Sequence, residues 1–185
     1  MRTSPESSYI NQIDRRHNQP ERIRGKVSAE EITLEFFAQK VPGMEARLST
    51  VAEDHGYEEG GKALDIIVSR AKRPILGIQV TTTIEKDKQE NKMQTMIDHP
   101  VIRLEEMKLQ DPGIPRVLVY FDAREVQSFI KNKDFDHHPQ IALKIIGDVL
   151  KSLTFHLKRT KNPAEQTSLM ELISTFELEQ KKYIH

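Results

Sequence analysis

Three polar residues stand within two short apolar runs in the stretch LDIIVSRAKRPILGIQVTTT, residues 64 to 83. Asp65 interrupts the first run, and Gln79 and Thr81 lie near the end of the second. A carboxylate and an amide oxygen suit Mg²⁺, which fills its remaining coordination sites with water and substrate phosphate. A metal ion held in this way can activate water and stabilise the charge of an in-line displacement. Asp65 and Gln79 are therefore candidates for a metal site that acts on a phosphate-containing substrate.

The two runs are predicted to form a β-hairpin that brings these residues together. Both are short, β-branched and bounded by turn residues, and the connection SRAKRP is too short for a crossover. A turn centred near residue 71 or 72 makes the numbers of paired residues sum to 143 or 144. With a sum of 144, Asp65 lies across from Gln79 at about 5 Å between Cβ atoms. Gln79 and Thr81 share one face of their strand.

The elements around the hairpin predict an α/β sandwich built on a small mixed β-sheet. A capping box of Ser28 and Glu31 predicts that the first helix begins at Ser28 and ends near Pro42. The run RVLVYFD, residues 116 to 122, is typical of a buried strand. Further helical segments are predicted at residues 44 to 54, 85 to 98, 101 to 110, 123 to 131, 141 to 157 and 164 to 182.

The hairpin and its neighbours resemble the PD-(D/E)XK nuclease superfamily over residues 28 to 130. That family carries an Asp on one strand, a short turn, and an apolar strand that ends in Glu-x-Lys. Here Asp65 is followed by thirteen intervening residues and then by Gln79-Val80-Thr81. Gln in place of Glu keeps one ligating oxygen, whereas Thr81 replaces the lysine that orients water and offsets transition-state charge. The pattern IQVTTT…HP, with His99-Pro100, also resembles divergent nuclease-fold modules of some effector proteins, in which Gln-x-Thr replaces Glu-x-Lys.

The resemblance implies a restriction-endonuclease-like fold and a set of site residues. Asp65 and Gln79 are expected to bind Mg²⁺, for which Mn²⁺ could substitute, and Thr81 takes the former lysine position. Lys86 is the expected replacement for that lysine, with Lys62 and Lys88 as alternatives. Glu35, or else Glu30 or Glu31, is expected to add an acid from the first helix.

Two functions follow from this resemblance. The first is a metal-dependent nuclease that acts on DNA or RNA. The second is a catalytically inactive module that kept the nuclease fold and binds a protein or nucleic-acid partner, as an effector or an accessory subunit. The missing lysine and the zero net charge favour the second function, and the retained Asp65 favours the first.

Length and composition bound both hypotheses. The 185 residues suit one domain, with a flexible N-terminal arm at residues 1 to 26, a core at 27 to 160 and a C-terminal helix at 161 to 185 that packs on the core. The absence of cysteine excludes disulfides and thiolate metal sites. No apolar run is long enough for a membrane span, and the N-terminus lacks the apolar core of a signal peptide. A cytoplasmic protein is expected, with non-classical secretion and the oligomeric state left open.

Simpler interpretations stand beside these. Asp65 could cap its strand or pair with Lys62 or Arg73, and Gln79 and Thr81 could be ordinary polar residues of a half-exposed face. The loop DFDHHP, with its Asp and His side chains at 134 and 136 to 138, could bind metal but is more typical of a solvated loop. The basic residues between 15 and 26 could contact phosphates, although such a stretch is more often a solvated tail.

Overall fold

The computed structural model describes residues 21 to 50, 64 to 82, 86 to 104, 107, 113 to 130 and 134 to 184. In this part of the chain, helices and strands alternate in an α/β arrangement. The elements are α1 Glu21–Lys40, β1 Met44–Leu48, β2 Ile66–Arg70, β3 Arg73–Thr81, α2 Lys86–Asp98, β4 Val101–Ile102, β5 Ile114–Tyr120, α3 Ala123–Ile130, α4 Pro139–Arg159 and α5 Pro163–Lys181.

The strands form one mixed sheet in the order β1-β2-β3-β5-β4. Only the β3 and β5 pair is parallel, and the other three pairs are antiparallel. The predicted α/β class with a mixed sheet flanked by helices is confirmed, while the restriction-endonuclease-like fold stays a prediction. None of the described helices combines the length and the apolar character that a membrane span requires.

Three local predictions were wrong. Residues 44 to 48 form strand β1 rather than a helix, because Met-Glu-Ala-Arg-Leu pairs antiparallel with β2 although its alternation is weak. Residues 101 and 102 form strand β4 against the start of β5 rather than a helical turn. Helix α1 begins at Glu21, so Ser28 lies inside it and the helix extends into the segment predicted as an arm. The rest of that arm, residues 1 to 20, lies outside the described residues.

The predicted β2–β3 hairpin is confirmed, including its register. Ile66 pairs with Ile78 and Ile67 pairs with Gly77, which gives the sum of 144. A register shift after Val68 changes the sum to 143 near the turn, where Arg70 pairs with Arg73. Ala71 and Lys72 form the turn with φ angles of 49° and 62°. Two left-handed residues produce the turn that matches the twist of an antiparallel hairpin.

The main hydrophobic core lies on one face of the sheet. Helices α1, α4 and α5 supply buried side chains to it, and aromatic rings meet edge to face, as Phe37 and Phe176 do at 5.9 Å between centroids. The apolar face predicted for residues 141 to 157 is confirmed as core, since Ile145, Val149 and Leu153 are fully buried there. A smaller cluster contains Leu64, Ile67, Ile102, Leu104 and Ile114.

On its outer edge, β5 pairs with the two-residue β4 only at its beginning. Beyond that point, side chains of helix α4 form hydrogen bonds with the backbone groups of β5. Asp148 Oδ2 accepts the Tyr120 N–H at 2.9 Å, and Ser152 Oγ accepts the Leu118 N–H at 3.3 Å. His156 Nε2 donates to the Arg116 carbonyl oxygen at 2.5 Å. The α4 side chains in these bonds are four residues apart, which is a rise of about 6 Å along the helix. Two residues of a strand span nearly the same distance, so these side chains lie beside every second residue of β5.

Replacing Ala71-Lys72 with Asn-Gly should stabilise the protein by about 1 kcal/mol, because both residues adopt left-handed backbone that Asn and Gly tolerate better. Urea denaturation measures the change. Lys161→Gly is the control, because Lys161 is an exposed loop residue whose φ angle is not positive. An Asn-Gly variant no more stable than the wild type would contradict the turn geometry.

His156 should make the protein less stable in mild acid. Burial lowers the pKa of His156; the hydrogen bond to the Arg116 carbonyl oxygen opposes this, and the charges of Arg116 and Arg159 lower the pKa further. The stability from a neutral His156 is complete above about pH 6.5 and is lost as the pH falls below that value toward the lowered folded-state pKa. His156→Gln, which keeps an N–H donor for Arg116, should flatten this loss in urea denaturation series between about pH 7.5 and 5. An equal loss of unfolding free energy with falling pH in the two proteins would exclude this role of His156.

Candidate functional site

Asp65 is fixed by its main chain at the start of β2. Its N–H donates to the Ile78 carbonyl oxygen at 2.9 Å, and its own carbonyl oxygen accepts the Ser49 N–H at 2.9 Å. The last strand pair is Ile66 with Ile78. Asp65 lies one residue before this pair, outside the strand, and its N–H bonds Ile78 rather than Gln79, so the pairing of Asp65 with Gln79 stays a prediction.

The side chain of Asp65 caps the end of the hairpin. Asp65 is only 6% exposed, and its Oδ2 accepts the Val80 N–H at 2.6 Å. Because β2 begins at Ile66, the carboxylate takes the place that a further strand residue would occupy beside Val80. The sequence alternative in which Asp65 caps its strand is therefore correct, and it places the carboxylate next to Gln79.

Gln79 carries a buried acceptor that the fold leaves unused. Its neighbours Ile78 and Val80 point into the main core, so Gln79 points to the other face of the sheet. Among the described residues, none donates a hydrogen bond to the buried Gln79 Oε1. An unsatisfied buried acceptor costs about 1–3 kcal/mol. A cation or a donor group bound there would recover that cost.

Thr81 shares the face of Gln79 and is 3% exposed. Its carbonyl oxygen accepts the Phe121 N–H at 2.9 Å, which ties the end of β3 to the end of β5. A buried threonine hydroxyl carries no positive charge. Thr81 therefore cannot do what a lysine at this position would do.

Lys92 brings a positive charge to the same part of β3, and the sequence reasoning missed it. The half-buried Lys92 donates from Nζ to the Val80 carbonyl oxygen at 3.5 Å. Asp65 and Lys92 therefore contact the N–H and the carbonyl of one residue, next to Gln79. A signal was present in the sequence, because Lys92 stands one helical turn before Met96, which is buried against the sheet.

Of the lysines predicted from the sequence, Lys62 lies outside the described residues. For Lys86 and Lys88 the structure describes the backbone alone. Lys86 as a catalytic residue stays a prediction.

Glu35 stays a prediction as well. It is half-buried on α1, whose Ile32 and Phe36 belong to the main core. That core covers the face of the sheet opposite Gln79. No contact among the described residues joins Glu35 to Asp65 or Gln79. Its alternatives Glu30 and Glu31 lie on the same helix, and both have interactions of their own.

Polar side chains of the acidic loop at residues 134 to 138 contact one another or Lys40. His137 Nδ1 contacts Asp134 Oδ2 at 2.5 Å, and this contact is the largest cause of the lowered pKa of the exposed Asp134. Asp136 pairs with Lys40 at 3.0 Å. In the part of the chain that the structure describes, no group of three or more His, Asp or Glu side chains is arranged to hold a metal ion.

The donor chemistry of Asp65 and Gln79 is compatible with Mg²⁺. An ionised carboxylate has about four lone-pair sites on its two oxygens, and a cation can share them with N–H donors. The Gln79 Oε1 atom is a hard ligand that no described donor occupies. Mg²⁺ is commonly held by one or two protein oxygens together with water and phosphate. Two protein oxygens are too few for a closed metal cage, so Mg²⁺ at this position would need water or phosphate as further ligands.

Comparison with known proteins gives no assignment. The chain matches no family model, no curated protein and no solved structure. The geometry of the β3 end is therefore what supports a function.

Asp65→Ala should destabilise the protein by about 1–3 kcal/mol, because the buried Val80 N–H loses its acceptor. Asp65→Asn keeps an oxygen for that N–H and should lose clearly less. Urea denaturation compares the two variants, with Glu177→Ala at an exposed helical position as the control. Equal losses for the Ala and Asn variants would show that the Val80 bond does not account for Asp65.

Proposed function

We propose that this protein is a divergent PD-(D/E)XK-like nuclease that hydrolyses phosphodiester bonds of DNA or RNA with the help of a divalent cation. The observation that carries the proposal is the meeting of three groups at the end of β3. Asp65 accepts the Val80 N–H, Lys92 donates to the Val80 carbonyl oxygen, and the preceding residue, Gln79, has a buried Oε1 with no described donor.

Each residue has a role that its position supports. Asp65 and Gln79 would hold Mg²⁺ or Mn²⁺, which when bound supplies Lewis acidity to the phosphate and a more acidic water. The Val80 N–H fixes the orientation of the Asp65 carboxylate. The Lys92 ammonium stands where it can offset negative charge that develops on the phosphate. Lys92 thus takes the part that the residue at position 81 cannot play.

The arrangement of elements also supports a restriction-endonuclease-like fold. Helix α1 is followed by three antiparallel strands, and helix α2 and the two-residue β4 then lead to β5, which lies parallel to β3. That order agrees with the helix, antiparallel strands, helix and strand of the resembled family. The candidate residues lie at the end of the antiparallel hairpin, where the resemblance expects them.

A catalytically inactive binding module is the second candidate. Thr81 is buried and neutral, and Asp65 is the single carboxylate that the described contacts place beside Gln79. The bond from Val80 to Asp65 gives that residue a structural reason to be present without any metal. In this alternative the fold presents a surface to a protein or nucleic-acid partner.

Wild-type protein with Mg²⁺ or Mn²⁺ should cleave at least one substrate among end-labelled single- and double-stranded DNA and RNA, and EDTA should stop the reaction. Asp65→Asn should abolish cleavage while the protein stays folded. Lys92→Met should slow cleavage by about 10²–10³-fold, because a charge-stabilising group is lost. Lys92→Arg should retain part of the rate. Lys151→Met, at an exposed position on α4, is the matched control.

Two results would contradict the nuclease. One is full cleavage by the Asp65→Asn variant, which would assign the activity to another site or to a contaminant. The other is a folded wild-type protein that cleaves none of the substrates with either metal ion. Fluorescence anisotropy with the same labelled substrates then tests the binding module.

A further inference from the structure

A second concave site lies at the other end of the hairpin, away from Asp65. It is a cavity of about 550 Å³ between the hairpin turn and the junction of α4 with α5. Such a volume is within the range of about 300–1,000 Å³ that is typical of small-molecule sites. Its walls are mainly apolar, with Ile75, Ile114, Leu169 and Leu172 among the lining residues. The cavity can therefore cover an apolar body of drug-like size.

Three arginines line the same cavity, and their charges are not neutralised by nearby acids. Arg70 and Arg73 come from the hairpin, and Arg159 comes from the end of α4. None of the three forms an ion pair with a carboxylate in the described residues. Arg70 contacts the Thr175 hydroxyl at 3.4 Å, and the Arg159 guanidinium lies 4.8 Å from the centre of the Phe155 ring.

Two glutamates also line the cavity, but they do not balance the arginines. Glu165 accepts hydrogen bonds from the Thr160 hydroxyl at 2.5 Å and from the Asn162 amide at 3.5 Å. Glu171 is exposed to solvent, as Arg73 and Arg159 are. With three guanidinium groups and two carboxylates the lining carries a net positive charge, and arginine binds carboxylate and phosphate oxygens especially well.

His156 adds a buried polar atom without a partner. His156 lines the cavity and is 3% exposed. Its Nε2 donates to the Arg116 carbonyl oxygen, so the proton is on Nε2 and Nδ1 is an acceptor. No described residue donates to Nδ1. Leaving such an atom unsatisfied is unfavourable, and a ligand N–H or O–H is the group that would satisfy it.

We infer that this cavity binds a small amphipathic organic acid. The apolar body lies against the Ile and Leu walls, the anionic group pairs with Arg73 and Arg159, and a hydroxyl or N–H group donates to His156 Nδ1. The site is independent of the nuclease proposal, because no residue of the β3 end takes part in it.

Isothermal titration calorimetry with indole-3-acetate and 4-hydroxyphenylacetate tests this inference, since both probes combine an apolar ring, a carboxylate and one donor. At least one should bind saturably. Arg73→Ala combined with Arg159→Ala should weaken binding about tenfold or more, because charge-assisted bonds are lost. Ser168→Phe, at an exposed lining position, should block the cavity. Arg124→Ala, an exposed arginine on α3, is the matched control and should bind normally.

Ligand analogues separate the two polar contacts. Indole-3-acetamide, which lacks the charge, and 1-methylindole-3-acetate, which lacks the N–H, should each bind more weakly than indole-3-acetate. The Asp65→Asn variant should bind like the wild type, which distinguishes this site from the nuclease site. No saturable binding of either acid, or binding that is unchanged in the arginine double variant or in Ser168→Phe, would overturn the inference.

Discussion

The unpaired edge of β5 is the constraint that organises the molecule. Strand β4 pairs with only the first two residues of β5, so the backbone groups beyond them need other partners. Asp148, Ser152 and His156 supply those partners from one face of α4. The same helix places its apolar residues in the main core. Helix α4 can therefore neither rotate nor slide without breaking polar bonds and apolar packing together, and α5 packs on a helix that is already fixed.

Both candidate sites depend on this arrangement. At the beginning of β5, His156 reaches the Arg116 carbonyl oxygen and becomes part of the cavity wall. The buried Arg116 also donates from Nε to the His99 carbonyl oxygen at 3.2 Å and from its backbone N–H to Pro100 at 2.9 Å. These bonds hold the end of α2 against the sheet. Because α2 carries Lys92, they also help to place its ammonium beside Val80. Strand β5 thus supports the cavity through its contact with His156. Through Arg116 it also helps to position helix α2, which carries Lys92.

The sequence was informative where structure depends on near neighbours in the chain. The turn at Ala71 and Lys72 and the pairing of Ile66 with Ile78 followed from segment length and alternation. The predictions failed where distant partners decide, as for β1, which alternates weakly and becomes a strand only through pairing with β2. Ser152 and His156 were not identified from the sequence, because the strand edge that they satisfy lies more than thirty residues away. Lys92 was missed for the same reason, since contact with β3 distinguishes it from other surface lysines.

Gln79 bears more directly on function than Asp65 does. The Val80 bond gives Asp65 a structural purpose, so its presence alone does not require a metal or a substrate. Gln79 has no comparable explanation, because its buried Oε1 finds no donor among the described residues and an apolar side chain of similar size would avoid that cost. Residues that bind a ligand often lower the stability of the fold without a compensating contact inside the protein. The same reasoning applies to His156 Nδ1 at the cavity. In both places the described residues leave a buried acceptor without a donor, which a bound group could supply.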